Sequence, residues 1–427
     1  MIKKSILGVS LLAGTSIFAG GFQLNTQSVK ALGMGGSNTA WALDASMAFY
    51  NPAALTKLKG HQFTAGFHYV MPSVSLQTDV HDNINQTTPN ANPIHFYYSG
   101  KITEKISVGF LVNNQFGSSS SFEDDWQGRY IVQNISLRTF MFQPTVAYQI
   151  HEKVSVGAGF VYATGAFSFD KAVPVSSDDN VYGKAHLEGK GRAFGGNFGL
   201  YVDVFSNDVL EISFGADYRT GLSVELPNGE ATFTDIPSSL RETFPEKTAF
   251  SGGLNLPSVT TAGLKVGYAI NEEIELTAIY DFNYTGWQTY DTLAFDFENP
   301  ETPDSKTVKN WQNTTTHRVG LDLNINNKVN IRGGVYFDKT PIQDGYLSPE
   351  LPDVSHSALT VGASWNITEM ISVDISFLRQ NLEFEADLDA ASFSAKYRRQ
   401  INVVGFGVNV KIPGEKVDAI EETLEEE

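Results

Sequence analysis

From about Gly60 onward the chain alternates apolar and polar residues, the period of a strand whose two faces meet different surroundings. One face of the segment beginning at Ile274 reads Ile274, Leu276, Ala278, Tyr280, Phe282 and Tyr284. The other reads Glu273, Glu275, Thr277, Asp281 and Asn283, with Ile279 the single misfit. Val329, Ile331, Val335 and Phe337 oppose Asn330, Arg332 and Asp338 in the same way. Val319, Leu321, Leu323 and Ile325 oppose Arg318, Asp322 and Asn324; Leu210, Ile212, Phe214, Ala216 and Tyr218 oppose Glu211, Ser213, Asp217 and Arg219. Runs of about ten residues exceed the usual globular strand of about five or six and suit a tilted, bilayer-crossing strand.

The links between these runs alternate too. Short polar links fall at Thr103–Lys105, His151–Lys153, Ser206–Asp208, Asn271–Glu273, Asn326–Lys328 and Thr368–Met370. Longer ones fall at Thr78–Asn92, Gly117–Ile135, Asp170–Lys190, Leu226–Asn255, Asp291–Lys306 and Lys339–Ser355, with a tight one near Asp387–Ala390. Six short turns and seven outer loops connect fourteen strands. An even strand number, with short turns on one side and long loops on the other, predicts an all-β, 14-stranded antiparallel transmembrane β-barrel over residues 61–412. Closure satisfies every backbone group in lipid, which an open sheet does not. A soluble β-sandwich also alternates, but it needs a turn signal about every 8–12 residues.

The ends of the chain change this picture little. Lys3 and Lys4, the apolar stretch Ile6 to Phe18 and the small residues from Ala19 read as a signal peptide over residues 1–19. Its apolar run is shorter than the ~20 residues of a membrane helix. Residues 413–427 form an acidic tail with seven acids and one lysine. The whole chain of 427 residues carries 48 acidic and 30 basic side chains, a net −18, and no cysteine. That balance excludes a nucleic-acid partner, and the missing thiols exclude disulfide scaffolds, thiolate metal sites and cysteine nucleophiles.

Residues 20–60 do not alternate, so they do not belong in lipid, and the lumen is the natural place for them. They contain the run Leu32-Gly33-Met34-Gly35-Gly36, a stretch of helical character over 40–49, and Asn51-Pro52-Ala53. The glycines lack the strand, lysine and helix context of a phosphate-cradling loop. A barrel of fourteen strands is wide enough to be a water-filled pore unless a segment plugs it.

Several motifs stand in order along the chain: Phe22-Gln23-Leu24-Asn25, Leu32-Gly33, Asn51-Pro52-Ala53, Asn113 to Gly117, Tyr162-Ala163, Tyr218-Arg219, Asn255-Leu256-Pro257 and Asp338-Lys339-Thr340-Pro341. With them the chain resembles the long-chain fatty-acid transporter (FadL-like) family, which also includes aromatic-hydrocarbon uptake proteins. The resemblance implies a barrel closed by an N-terminal hatch (residues 20–60), an apolar luminal pocket, and sideways release through a gap at an inward kink in strand three. It places Phe22 and Leu24 beside the ligand and Asn51, Pro52 and Ala53 in the hatch near the gap.

The residues of strand three allow two readings. Ile106, Val108, Phe110 and Val112 alternate, and then Asn113, Asn114 and Gln115 put three polar residues in a row, followed by Gly117 and four serines. This is either a strand leaving its ladder or a strand ending in a polar loop. A carboxylate ligand would need a luminal cation. Lys171 lies within two residues of the family's basic position, where Phe169 stands here; Arg192, Lys265 and Arg318 point inward by parity, with Arg332 on the corresponding face of strand eleven. Each also serves to balance luminal acids such as Asp322. The third outer loop, Asp170–Lys190, is shorter than in the fatty-acid transporters, and loop four holds a short helix over Pro237–Phe244.

The expected function is passive uptake of hydrophobic small molecules, with long-chain fatty acids the leading substrate. Aromatic hydrocarbons, or a non-specific porin or structural barrel, are the alternatives. The expected partners are outer-membrane lipid and lipopolysaccharide, and a monomer in the outer membrane is expected. No catalytic motif is present, and the eight histidines form no metal-spaced cluster, so an enzyme, a metal site and a cofactor are not expected.

Overall fold

The computed structural model describes residues 20–414; the expected signal peptide (1–19) and residues 415–427 of the expected acidic tail lie outside the described residues. Fourteen antiparallel strands close into a barrel. They are β1 (His61–Gln77), β2 (Ile94–Lys101), β3 (Ile106–Asn113, resumed as Gly117–Ser121), β4 (Asn134–His151), β5 (Val154–Pro174), β6 (Tyr182–Ser206) and β7 (Leu210–Arg219, resumed as Leu222–Thr234). After them come β8 (Lys247–Leu256 and Val259–Ala269), β9 (Ile274–Thr285, extended by Thr292–Phe297), β10 (Ser305–Val308 and Thr314–Ile325), β11 (Val329–Asp338), β12 (His356–Asn366), β13 (Ile371–Leu388) and β14 (Phe393–Ile412). The ring closes where β14 pairs with β1, from His61 opposite Ile412 to Gln77 opposite Lys396.

The alternation separates lipid from lumen as the pattern requires. Phe67, Phe110, Phe160, Phe194, Leu321, Leu359, Trp365 and Phe406 are exposed on the outside. Thr277, Asp281, Asp322 and Arg332 are buried within. Ile279, the misfit of its strand, also points inward and is only 2% exposed. Residues 20–60 are buried against the inner wall, with only two short helices, α1 (Val29–Leu32) and α2 (Met47–Tyr50), and a 3-10 turn at Pro52–Lys57.

Three local expectations are corrected. The helical character of 40–49 yields only α2, because wall side chains satisfy its carbonyls one by one: Ser213 Oγ donates to the Ala40 carbonyl at 2.7 Å and Arg219 to that of Phe49 at 3.1 Å. Most of the expected loop Asp170–Lys190 is strand, with β5 and β6 paired out to Pro174 opposite Tyr182. The expected helix Pro237–Phe244 reduces to a 3-10 turn at Ser238–Leu240, because β7 and β8 extend to Thr234 and from Lys247 and leave little chain between them.

Candidate functional site

Phe22 organises the site. It is 6% exposed and meets Trp287, Tyr290, Trp311 and Phe116, with ring centroids 4.7, 5.4, 5.5 and 6.1 Å away. Tilted and edge-to-face pairs of this kind each add about 0.5–1.5 kcal/mol beyond the area they bury. The chain enters this cluster through Gly21 at φ +65°, where a Cβ would lie 2.8 Å from the Trp311 ring, so a side chain is excluded sterically as well as conformationally. Gly21 N–H donates to Asp353 Oδ2 at 2.9 Å, and Arg399 Nη1 reaches Asp353 Oδ1 at 3.0 Å. Burial pushes the Asp353 carboxyl up to about 6, and the Arg399 charge offsets this only in part.

Beyond Phe22 lies an apolar pocket. Its walls are Ile135, Leu137, Phe167, Val224, Leu226, Leu254, Tyr290, Leu293, Phe295 and Trp311; Ser118 and Glu350 bring the polar atoms. Glu350 is ion-paired with Lys309, which is itself buried. An apolar chamber whose one carboxylate is already neutralised holds an uncharged molecule at no desolvation cost to itself.

The polar run of β3 meets the same N-terminal segment. The β2–β3 ladder ends at His95 opposite Asn113, and β3 then loses β2 as a partner while keeping β4. Leu24 N–H donates to the Gln115 carbonyl at 2.9 Å, Gly117 N–H donates to the Phe22 carbonyl at 3.0 Å, and Gln23 bridges to Phe116. Asn114 caps both edges: its Oδ1 accepts from Ile94 N–H at 2.9 Å and its Nδ2 donates to the Thr139 carbonyl at 2.6 Å.

Asn51, Pro52 and Ala53 sit against the wall of β4, β5 and β6. Asn51 is fully buried; its Nδ2 donates to the carbonyls of Thr39 and Leu200, both at 2.9 Å, and its Oδ1 accepts from Ala53 N–H at 3.1 Å. The fit needs glycine opposite, since a Cβ on Gly157 would lie 2.5 Å from Ala53 N and one on Gly199 would lie 2.3 Å from Asn51 Oδ1. Leu55, in the same turn, packs on β3, where a Cβ on Gly109 would lie 2.8 Å from it.

The expected cations fall elsewhere. Arg318 Nη1 donates to the Gly35 carbonyl at 2.9 Å and Nη2 to Asn25 Oδ1 at 2.8 Å, so it holds the N-terminal segment. Lys171 shares the face of Phe169 and Val173 but does not line the apolar pocket. Arg192 faces outward and is exposed, contrary to the parity expectation: Ala185, Leu187, Ala193 and Asn197 define the inner face of β6, which makes 192 an outer position. Lys265 and Arg332 do point inward, paired with Glu211 and Asp322.

Sequence reasoning missed Trp287, Tyr290 and Trp311, which sit on outer connections where alternation carries no information. It also missed three wall residues that hold the N-terminal segment. Asp281 Oδ2 accepts from Asn38 N–H at 2.8 Å, Thr39 N–H at 3.0 Å and Thr39 Oγ1 at 2.9 Å. Gln143 Nε2 donates to the Ala48 carbonyl at 2.8 Å, and Arg219 Nη1 donates to Gln143 Oε1 at 2.8 Å. For Asp281 and Arg219 a charge at inward parity was the available signal; Gln143 offered none. Within the segment, burial pushes the Asp44 carboxyl up, but Lys30 at 3.1 Å and hydrogen bonding from Ser46 outweigh it and hold the group below its ordinary range.

Residues 10–411 match the family model described as "Outer membrane protein transport protein (OMPP1/FadL/TodX)". A long-chain fatty acid transport protein of Salmonella typhi is 26% identical, covering 88% of this chain and 91% of that protein. Among solved structures, a Pseudomonas aeruginosa FadL homologue superposes with a TM-score of 0.77 at 16% identity, over 92% of this chain and all of that one. The P. putida toluene transporter TodX superposes at 0.68 and 15% identity, over 93% and 100% of the two chains.

Proposed function

The chain belongs to the outer membrane protein transport protein (OMPP1/FadL/TodX) family, and from that membership we propose that it carries small, uncharged hydrophobic molecules across the outer membrane by passive diffusion. It is an outer-membrane β-barrel and a transport channel, not an enzyme. The observation that carries the substrate reading is the pocket behind Phe22: its walls are apolar and aromatic, and its one carboxylate is paired with Lys309. Residues 20–60 act as the hatch. A molecule taken from the outer loops reaches the pocket, displaces Phe22, and leaves sideways where β3 parts from β2 after Asn113. The break lined by Asn113, Asn114, Gln115 and Gly117 supports that exit, because the hatch itself bridges it through Leu24 and Phe22. Release into the bilayer spares an apolar solute the aqueous periplasm. A barrel closed on itself supports a monomer surrounded by lipid and lipopolysaccharide.

One observation favours a second reading, long-chain fatty acid. Lys309 is buried beside the pocket, and a ligand carboxylate that displaced Glu350 would inherit its charge. Uptake of labelled toluene and labelled oleate by cells with and without the protein separates the two. The expected result is faster toluene uptake with little change for oleate. The reverse selects fatty acid, and entry of small sugars with no change in either selects a porin.

A further inference from the structure

The wall formed by β1, β2, β13 and β14 carries a pair of side chains that the transport route leaves unused. His68 on β1 and His95 on β2 point into the lumen, 0% and 2% exposed, with ring centroids 5.4 Å apart. None of their four ring nitrogens has a hydrogen-bond partner; the Thr26 carbonyl approaches His95 without completing a bond of good geometry. Two glycines make the room. A Cβ on Gly66 would lie 2.6 Å from His95 Nε2, and one on Gly405 would lie 2.8 Å from His68 Nε2. Further buried polar atoms on this side also stand without partners: Ser376 Oγ and Gln380 Oε1 on β13, and Thr26 Oγ1 and Gln27 Oε1 on the facing hatch.

The pair stands at the edge where β3 leaves the sheet. His95 is opposite Asn113, the last β3 residue paired with β2. Two residues on, Tyr97 donates to the Gln27 carbonyl at 2.7 Å and accepts from Asn113 Nδ2 at 3.2 Å, so the same strand holds both the hatch and the start of the break.

We propose that His68 and His95 form a proton-operated latch on this side of the hatch. With both rings neutral, the hatch seats against β1 and β2. Protonation places two cations side by side where water has been excluded, and the acids on this side are already hydrogen-bonded or paired elsewhere. On the hatch, Asp44 attracts a charged His95, and its pairing with Lys30 at 3.1 Å weakens that attraction. On β13, Asp374 already accepts from Ser364 and Asn409. On β2 and β3 the neighbours are Tyr97 and Asn113, and on β14 Gly405, all uncharged in this range. Repulsion in a low-dielectric site is strong. It is relieved when the hatch edge near Thr26 and Gln27 moves off the wall and admits water. Acidification therefore loosens the hatch at the β2–β3 edge while its attachments to β7–β12 remain.

The proposal rests on the hatch reading, and two readouts keep the two apart. Ion conductance of the full chain is measured in planar bilayers between about pH 7.5 and about pH 3.5, a window that covers the ordinary histidine range and extends well below it. Toluene transfer is measured in vesicles over the same range. The expected result is a reversible, several-fold rise in conductance on acidification, absent from the doubly substituted His68→Gln, His95→Gln protein. The single variant His95→Gln, with heat-modifiable gel migration as the check on folding, shows a reduced rise. A flat conductance in the unaltered protein overturns the latch, as does an undiminished response in the double variant, or in the single variant if the double does not fold. Absence of toluene transfer at every pH, with the conductance response intact, removes the transport reading and leaves the latch.

Discussion

The N-terminal segment is held very differently on its two sides. Toward β7–β12 the barrel meets it with charged and hydroxyl groups that bond to it repeatedly: Asp281 Oδ2 takes three donors from Asn38 and Thr39, Arg318 donates to Gly35 and Asn25, Ser213 donates to Ala40, and Thr360 Oγ1 accepts from Gly35 N–H at 2.9 Å. Toward β1, β2 and β13 it meets His68, His95, Ser376 and Gln380, whose polar side-chain atoms include several with no partner. A buried polar group without a partner costs about 1–3 kcal/mol, whereas a charge-assisted hydrogen bond contributes about 1.5–3. The first side therefore anchors the segment and the second is poised to part from it. The break in β3 lies on the second side.

Removing the segment altogether is the severest way to break this asymmetry. Deletion of residues 20–60 should turn the barrel into an open pore, read as a large rise in single-channel conductance; an unchanged conductance would sink the plug reading. Cutting the anchored side comes next. Asp281→Ala leaves the amides of Asn38 and Thr39 buried and unpaired, and should weaken docking of the segment by about 3 kcal/mol. Proteolysis of the folded barrel in detergent would register this as faster cleavage within residues 20–60. Asn51→Ala removes the cap on Ala53 and the donors to Thr39 and Leu200, for a smaller cost of about 1–2 kcal/mol. Here the same protease should cut more slowly than in the Asp281 variant.

The smallest effect is electrostatic. Asp353 is raised by burial to about 6, above the ordinary value of about 3.9, so its ionised form is the less favoured one in the folded barrel. The stability it contributes is full below about pH 3.9 and is lost as pH rises through about 6. Asp353→Asn should flatten that part of the profile, measured as urea midpoints at a series of pH values. A profile that keeps its slope in the variant assigns the effect to another group.

Much of the barrel was legible because lipid imposes a two-fold period that no other solvent arrangement sustains over so many strands. The six short turns fall where polar residues interrupt it, and β14 ends at Ile412 where alternation stops. Legibility failed where that constraint lapses. Above the membrane, β5 and β6 continue through Asp170–Lys190 because backbone pairing needs no particular side chain. Arg192 was placed on the wrong face because the glycines at 189, 191, 195 and 196 leave the parity of β6 poorly marked by side chains. The candidate site was half legible. Phe22 and the Asn113–Gly117 run stand out in the sequence, but their partners Trp287, Tyr290 and Trp311 come from connections hundreds of residues away.

By itself the sequence determined the number of strands, the inside and outside of most of them, and the segment that belongs to neither, since each follows from matching side chains to lipid or water residue by residue. Only the tertiary structure decided which inward charges are spoken for. Arg318 and Lys265 read alike in the chain as inward-pointing cations, yet one is spent on the carbonyl of Gly35 and the other on Glu211. The same holds for the histidines, because whether an imidazole finds a partner depends on what closure of the barrel brings opposite it.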